Sequence, residues 1–382
     1  MGALPLSGLT VVAIEQAVAA PFTSSRLADA GARVIKIERP EGDFARGYDD
    51  VARGQSSYFV WLNRGKDSVT LDLGSEAGKA ELARLLSGAD VLIQNLKRGA
   101  LAKLGFTFER LERDFPRLIT CSITGYGEDG PMADRKAYDL LIQAESGLCS
   151  ITGGPEEPAR VGISIVDIAT GATAHAAILE ALIARGITGK GANISVSMFD
   201  VMADWLTVPL LNHEGGKSPQ RIGMAHPSIA PYGTFITKDG HPILISVQSD
   251  REWRKLAEVF LGKPELGSDP LFATNVARVA NRAETDAAVA RGFARLTADE
   301  AITALLAADV ALASVSDMAR LSTHPHLRRI TVETPKGPVS YPAPAAVFSG
   351  QSRDYGAVPT LKPLRARASK PAPKPASADD RS

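Results

Sequence analysis

In the stretch VGISIVDIATG, one carboxylate, Asp167, stands among small and branched apolar residues. The apolar positions then continue at helical spacing through Ala172, Ala176, Leu179 and Ile183, which predicts a strand-to-helix junction with the acid at the turn. Two uses follow from that place. An aspartate there is a preferred helix cap, stabilising by ~1 kcal/mol through the first helical amides. The same carboxylate, held beside backbone donors, can attack an activated acyl group while those donors hold the oxyanion. Local physics favours the cap.

A set of cations falls where strand-like runs stop. Arg39 follows VIKIE, Arg46 follows PEGD, Lys97 and Arg98 follow DVLIQN, Lys103 comes one short helix later, and Lys136 follows GPMADR. Cations at successive strand ends of one sheet would bind a phosphorylated ligand, whereas singly each reads equally well as solvated surface charge.

Other chemistries have less support. GYGEDG, Gly125 to Gly130, matches the dinucleotide fingerprint, yet it leads into Pro131 instead of opening a helix and lies far from the first strand, so a flexible loop is the better reading. There is no GxSxG, Walker A or HExxH motif, and the HPH at His324 to His326 lacks ligands at metal spacing, so no metal is expected. Lysine plus arginine equals aspartate plus glutamate, 43 each, which points away from nucleic acid and from an anionic membrane surface. Cys121 and Cys149 form no CxxC pair and read as free thiols of a reducing compartment. With no leader-like segment and no long unbroken apolar run, a soluble cytoplasmic protein is expected.

The elements that must position these residues alternate. TVVAIE, ARVIKIE, SVTLDL, DVLIQN and RLITCSIT read as strands separated by helical patterns such as SEAGKAELARLLSGA, which predicts an α/β fold with a parallel sheet covered on both faces. Beyond Pro219, PYGTFITKDGHPILISVQ predicts a hairpin turning at Asp239-Gly240, followed by helices, as in a smaller α+β domain. The expected division is a large Rossmann-like domain over 1–200, a linker over 201–225 and a small α+β domain over 226–325. The chain then returns to the large domain over 326–362 and ends in a disordered tail, 363–382, rich in Pro, Ala and charge.

Segments in order along nearly the whole chain resemble the class III CoA-transferases, the CaiB/BaiF or formyl-CoA transferase family. They include GLTVVAIEQAVAAPFTSSRLADAGARVIKIERPEGDFAR, LNRGKDSVTLDL, DVLIQNLKRGALAKLGF, PRLITCSITGYGEDGP, KAYDLLIQAESGL, VGISIVDIATG and RIGMAHPSIAPYGTF. The resemblance implies a Rossmann-like large domain, a small α+β domain and an interlocked homodimer. It implies that Asp167 is the nucleophile, forming an anhydride and then a thioester with CoA. By matching motifs, CoA contact is implied for Ala17, Val18, Arg39, Asn95, Leu96, Lys97, Lys103 and Lys136, Ala137, Tyr138 and Asp139. NLKRG departs from the more usual phenylalanine, arginine and proline at that place. Coenzyme A is then part of the substrate, and no tightly bound cofactor is implied.

A racemase of the same fold would carry a histidine directly before the aspartate of KAYD, where this chain has Tyr138, a poor base with an ordinary pKa of about 10. A CoA-binding protein without catalysis is the alternative from another class. The glycine-rich substrate loop of oxalate and formate enzymes is not evident after Pro231. The expected substrates are acyl-CoA thioesters, succinyl-CoA among them, and small dicarboxylic acids such as mesaconate, itaconate, malate or citramalate. Arg221 or His226 would pair with the distal carboxylate.

Overall fold

The computed structural model describes residues 4–362, and the expected disordered tail over 363–382 lies outside the described residues. The chain divides into two compact units. The first comprises the chain up to Arg135, Asp167–Ser197 and the chain from Ile330 on, and the second comprises Lys136–Val166 and Met198–Arg329. Segment 136–166, placed by the sequence reading within 1–200, thus groups with the second unit.

In the first unit, β1 (Thr10–Ile14), β2 (Arg33–Glu38), β3 (Lys66–Thr70), β4 (Val91–Gln94), β5 (Ile119–Thr124) and β6 (Asn193–Ser197) form one sheet in the order β3-β2-β1-β4-β5-β6. All five neighbouring pairs, β3–β2, β2–β1, β1–β4, β4–β5 and β5–β6, are parallel. Helices α1 (Ala19–Asp29), α2 (Ser57–Asn63), α3 (Glu76–Leu86), α4 (Ala100–Lys103) and α5 (Phe108–Asp114) fall between the first five strands, as crossover connections require. Ser75 and Thr107 cap α3 and α5 by accepting from Gly78 N and Arg110 N. Side chains of the central strands, Val12, Ile14, Ile35, Ile37 and Leu92, are buried with Leu82, Leu86 and Leu111. The sheet and its helical cover are those expected of a Rossmann-like fold.

The second unit holds α6 (Asp139–Glu145), α7 (Leu148–Ile151), α9 (Met198–Trp205) and α10 (Thr207–Glu214), and then an antiparallel sheet of β7 (Tyr232–Ile236), β8 (Pro242–Ser246) and β9 (Ala311–Ser314). Helices α11 (Asp250–Lys255), α12 (Asn275–Ala280), α13 (Arg282–Phe293), α14 (Ala298–Ala307) and α15 (Met318–Ser322) complete it. Trp253, fully buried, donates its indole N–H to Leu266 O at 3.0 Å and packs with Phe260, Phe293, Ile243 and Ile245. The hairpin turns where expected, with Gly240 at φ +81°. Two apolar stretches that lack a clear periodicity in sequence contain regular structure: ADWLTVPLLNHE falls largely within α9 and α10, and TPKGPVSYPAP contributes β11 (Val339–Pro342), which pairs with β10 (Arg329–Val332). Leu206, between the two helices, is the N-cap of α10 without a side-chain bond, so no polar residue marked that boundary.

Helix α8 (Ile165–Thr188) begins in the second unit and runs through the first. Its mean hydropathy of 1.3 and length of 24 residues are enough to cross a membrane by composition alone. Its contacts are those of a helix packed in a protein. Thr23 Oγ1 donates to Gly171 O at 3.0 Å, and a Cβ at Gly171 would stand 2.6 Å from Ala19 O. At its far end Arg185 donates to Asp90 Oδ1 at 2.9 Å and to Arg117 O at 3.1 Å. Gly171→Ala should therefore force α1 and α8 apart and destabilise the protein by about 1–3 kcal/mol, read as a lowered denaturant midpoint at unchanged slope.

Candidate active site

Order 3-2-1-4-5-6 reverses direction between β1 and β4, and ligands of such sheets bind beyond the carboxyl ends of the strands at that point. Gln16 follows β1 and Asn95 follows β4. They are joined there: Gln16 N donates to Asn95 Oδ1 at 3.0 Å, and Asn95 Nδ2 donates to Gln16 O at 2.9 Å. Beside them a cleft is lined by Gln16, Arg39, Pro40, Leu71, Asp72, Leu73 and Leu96. Two of the sequence-derived contacts, Arg39 and Leu96, thus share one wall. Asn95 ties the loops together at its edge, while Gln16 and Leu71 to Leu73 are additions that their motifs did not single out.

Beneath this cleft lies a buried charge network. Lys36 on β2 and Lys66 on β3 are both fully buried at the side chain, as is Glu15 after β1. Lys66 Nζ reaches Glu15 Oε1 at 2.7 Å, and Lys36 Nζ reaches Asp43 Oδ2 at 2.8 Å and Glu15 Oε1 at 3.4 Å. Two cations face two carboxylates. Burial opposes every charge here, but Lys66 and Lys36 outweigh it at Glu15, whose pKa is lowered, and Glu15 and Asp43 outweigh it at Lys36, whose pKa is raised. Lys66 goes the other way. Burial pushes it down to about 8, against the attraction of Glu15 and with the repulsion of Lys36.

The network shapes the loops above it. Asp43 Oδ1 accepts from Ala17 N at 3.2 Å and Ala45 N at 2.9 Å. Ala17 is thereby held at φ +64°, a conformation that L residues seldom adopt. Val18 is the buried N-cap residue of α1, so the two implied CoA contacts form the entry to that helix. Glu38 takes Arg46 at both oxygens, 2.9 and 2.7 Å, and also Ser68 Oγ and Asp43 N.

Among the strand-end cations, Arg46 is therefore committed to Glu38, and Arg98 stands 3.5 Å from Asp134. Arg39 Nε donates to Gly42 O at 3.0 Å while the residue lines the cleft. Lys97 precedes α4 and Lys103 ends it, both exposed. Lys136, Ala137, Tyr138 and Asp139 belong to the second unit, with Tyr138 exposed and extended before α6.

Asp167 is the third residue of α8, half-buried in its first turn. The strand expected before it is absent, so the carboxylate follows an irregular segment and is not the residue at a strand-to-helix cap. The reason is local. Val161 N donates at 2.9 Å to the side chain of Gln143, and Ile165 N bonds back to Ile163 O at 2.8 Å, so these backbone groups find partners without a neighbouring strand. The capping acceptor is Asp139, whose Oδ1 takes Val166 N at 2.7 Å. A carboxylate in the first turn of a 24-residue helix still lies in the favourable field of its amide dipoles.

Arg221 donates to three backbone carbonyls, Gly154 at 3.1 Å, Ser150 at 3.2 Å and Pro155 at 3.2 Å, bracing the turn 150–155. His226 stacks on Tyr232 with ring centroids 5.2 Å apart, and its Nδ1 accepts from Ser228 N at 3.1 Å. In the neutral ring its Nε2 is then the donor. No group of three metal-ligating side chains occurs among the described residues, and GYGEDG opens no helix.

A parallel sheet with a cleft at its switch point, together with a carboxylate in the first turn of a long helix, is the arrangement of an α/β ligand-binding protein with an acidic side chain available for chemistry. The chain belongs to CoA-transferase family III, whose model matches residues 6–371. It is 37% identical over 350 residues to the acetyl-CoA:oxalate CoA-transferase of Acetobacter aceti, covering 91% of this chain and 90% of that one. It is 40% identical over 290 residues to the succinate–glutarate CoA-transferase of Agrobacterium fabrum, covering 73% and 72%. A CAIB/BAIF family protein from Brucella suis superposes with a TM-score of 0.80 at 38% identity, over 94% of this chain and 97% of that one.

Acid should act on the site through Glu38. Its pKa is lowered from 4.5 to about 2 because Arg46, Lys36 and Ser68 outweigh its burial. A carboxylate held below its unfolded value adds stability above about pH 4.5, and that stability is lost as pH falls toward 2. Between these values the urea midpoint of Glu38→Gln should fall less steeply with pH than that of the parent protein.

Proposed function

We propose that this CoA-transferase works through Asp167. The carboxylate attacks the thioester carbonyl of an acyl-CoA, the C–S bond breaks, and CoA leaves as thiolate, giving a mixed anhydride. Thiolate attack on the aspartyl carbonyl releases the donor acid and leaves an aspartyl-CoA thioester. The acceptor carboxylate displaces CoA to form a second anhydride, and thiolate attack on its acyl carbon yields the new acyl-CoA and restores Asp167. No step needs an external oxidant or a net proton. The thioester energy is kept throughout, so water must be excluded. The observation that carries this reading is Asp167 in the first turn of α8, in a chain of this family.

The nucleotide part of CoA is assigned to the cleft lined by Gln16, Arg39, Leu71, Asp72, Leu73 and Leu96, where Arg39 is the cation and the lining carboxylates Glu15, Glu38 and Asp43 are already paired with Lys36, Lys66 and Arg46. Lys97, Lys103, Lys136, Ala137 and Tyr138 are proposed around the rest of the cofactor. The acids exchanged are small dicarboxylates: succinyl-CoA as donor, with a mesaconate, itaconate, malate or citramalate type of acceptor. The succinate–glutarate relative supports that class, and the acetyl-CoA:oxalate relative makes oxalate a necessary member of any test panel. His226, through Nε2, is the better candidate for the distal carboxylate, because Arg221 is already engaged by three carbonyls.

We also read the protein as a cytoplasmic homodimer. Trp205, Val208, Leu210 and Leu211, half-exposed or more on the consecutive helices α9 and α10, are the kind of apolar surface that a partner covers. Light scattering should return about twice 40.3 kDa. A mass of one chain would refute the dimer.

The decisive experiment pairs donor thioesters with acceptor acids and identifies new thioesters by mass spectrometry. Asp167→Ala should abolish exchange, and hydroxylamine after acyl-CoA should mark Asp167 in the parent protein. A fully active Asp167→Ala enzyme rules the mechanism out. His226→Ala should raise KM for the dicarboxylate about 10-fold, the loss of one charge-assisted hydrogen bond, while KM for acyl-CoA stays within about 2-fold. Replacing Arg221 should lower stability and impair all acceptors alike.

A further inference from the structure

Gln143 is a fully buried amide on α6, and none of the chemistry above uses it. Its Oε1 accepts from Val161 N at 2.9 Å. Its Nε2 donates to Asp139 Oδ2 at 2.6 Å and lies 3.5 Å from Ile163 O. The other oxygen of Asp139 takes Val166 N at 2.7 Å. One amide thus addresses the irregular segment at Val161 directly and the first turn of α8 at Val166 through a carboxylate. The next residue along α8 is Asp167.

The orientation of the amide is determined by its partners. A flipped side chain would set NH2 against the Val161 N–H and oxygen against the Asp139 carboxylate, two repulsive contacts in place of two hydrogen bonds. Both ends of segment 161–166 are therefore specified by side chains of a single helical turn, since Asp139 and Gln143 stand four residues apart. Asp139 is also occupied on both oxygens, by Gln143 Nε2 and Val166 N. It suits holding the helix start better than binding CoA.

We propose that Gln143 is a positioning residue: with Asp139 as its relay, it holds segment 161–166 and so sets the start of α8 and the attitude of the carboxylate that follows. A misplacement of about 1 Å at a nucleophile costs on the order of 100-fold in rate, so the effect belongs in kcat. This inference rests on Asp167 being the nucleophile.

The test is Gln143→Leu, close in volume and lacking both polar functions, alongside Gln143→Glu, which keeps the acceptor for Val161 but sets two carboxylates together. Hydrogen exchange on the full chain should show the Val161 and Val166 amides losing protection in Gln143→Leu. The exchange reaction should lose about 10- to 100-fold in kcat, with KM for acyl-CoA within about 2-fold. The activity of Gln143→Glu relative to the parent should recover as pH is lowered, because the introduced carboxyl, once protonated, regains a donor toward Asp139. Unchanged amide protection would overturn the clamp. Lost protection with an unchanged kcat would overturn the positioning role, and so would a rate loss matched by a rise in KM. A loss equally present in Gln143→Glu at every pH would assign the residue to packing alone. Failure of the nucleophile reading appears separately, as activity in Asp167→Ala, and leaves the exchange result at residues 161–166 intact.

Discussion

Four buried charges, Glu15 after β1, Lys36 within β2, Asp43 in the loop after β2 and Lys66 at the start of β3, tie three neighbouring strands to the loops around them. Deleting one partner would leave a buried charge unmatched, which costs about 3–5 kcal/mol, far more than an exposed pair is worth. Apolar residues in their place could be as stable. They could not hold the Ala17 amide, and the left-handed turn at Ala17 depends on an Asp43 carboxylate that Lys36 keeps in place. The network is therefore better understood as a geometric device than as a source of stability. It takes the one non-glycine strain in the β1 loop and makes it the entry to α1.

That entry and the switch point of the sheet share their residues. Gln16 touches Asn95 across the reversal of strand order, Ala17 is fixed by Asp43, and Val18 begins a helix against which Gly171 of α8 packs without a side chain. The helix that bears Asp167 is thus referred to the cleft at the switch point through one continuous set of contacts within the first unit. Its start is specified separately, by α6. A side chain set at both levels has little freedom to move.

Much of this was legible in the sequence, and the failures are instructive. Buried parallel strands announce themselves as branched apolar runs, and VIKIE did so even with a lysine inside it. That lysine was itself a signal, because a cation within a strand covered on both faces must have partners. Local pattern preferred Asp167 as a cap, whereas the family resemblance implied a nucleophile there. What went unread was the identity of the cap, since nothing in VGISI says that its backbone is satisfied by Gln143 and Asp139 on a helix well upstream. The carbonyl partners of Arg221 were not legible either, because a guanidinium suited to a carboxylate is equally suited to carbonyl oxygens. The regularity of α9 and α10 was obscured by a boundary without a polar cap. Leu71 and Leu73 line the cleft through ordinary apolar chemistry that no motif distinguishes.

The free edge of β3 is closed late in the chain. Gly65 N donates to Ala357 O and Thr70 N to Lys362 O, and Gly356 lies so near Gly65 that a Cβ there would stand 2.8 Å from its Cα. Arg64, bonded to Asp29, is flanked by the rings of Tyr341 and Tyr355. During synthesis, then, the first strands emerge long before the residues that cover them. Nearly three hundred residues must be translated while an unpaired strand edge waits. Such an edge invites pairing with other chains, so the burden on chaperones in the producing cell falls on the N-terminal third of this protein.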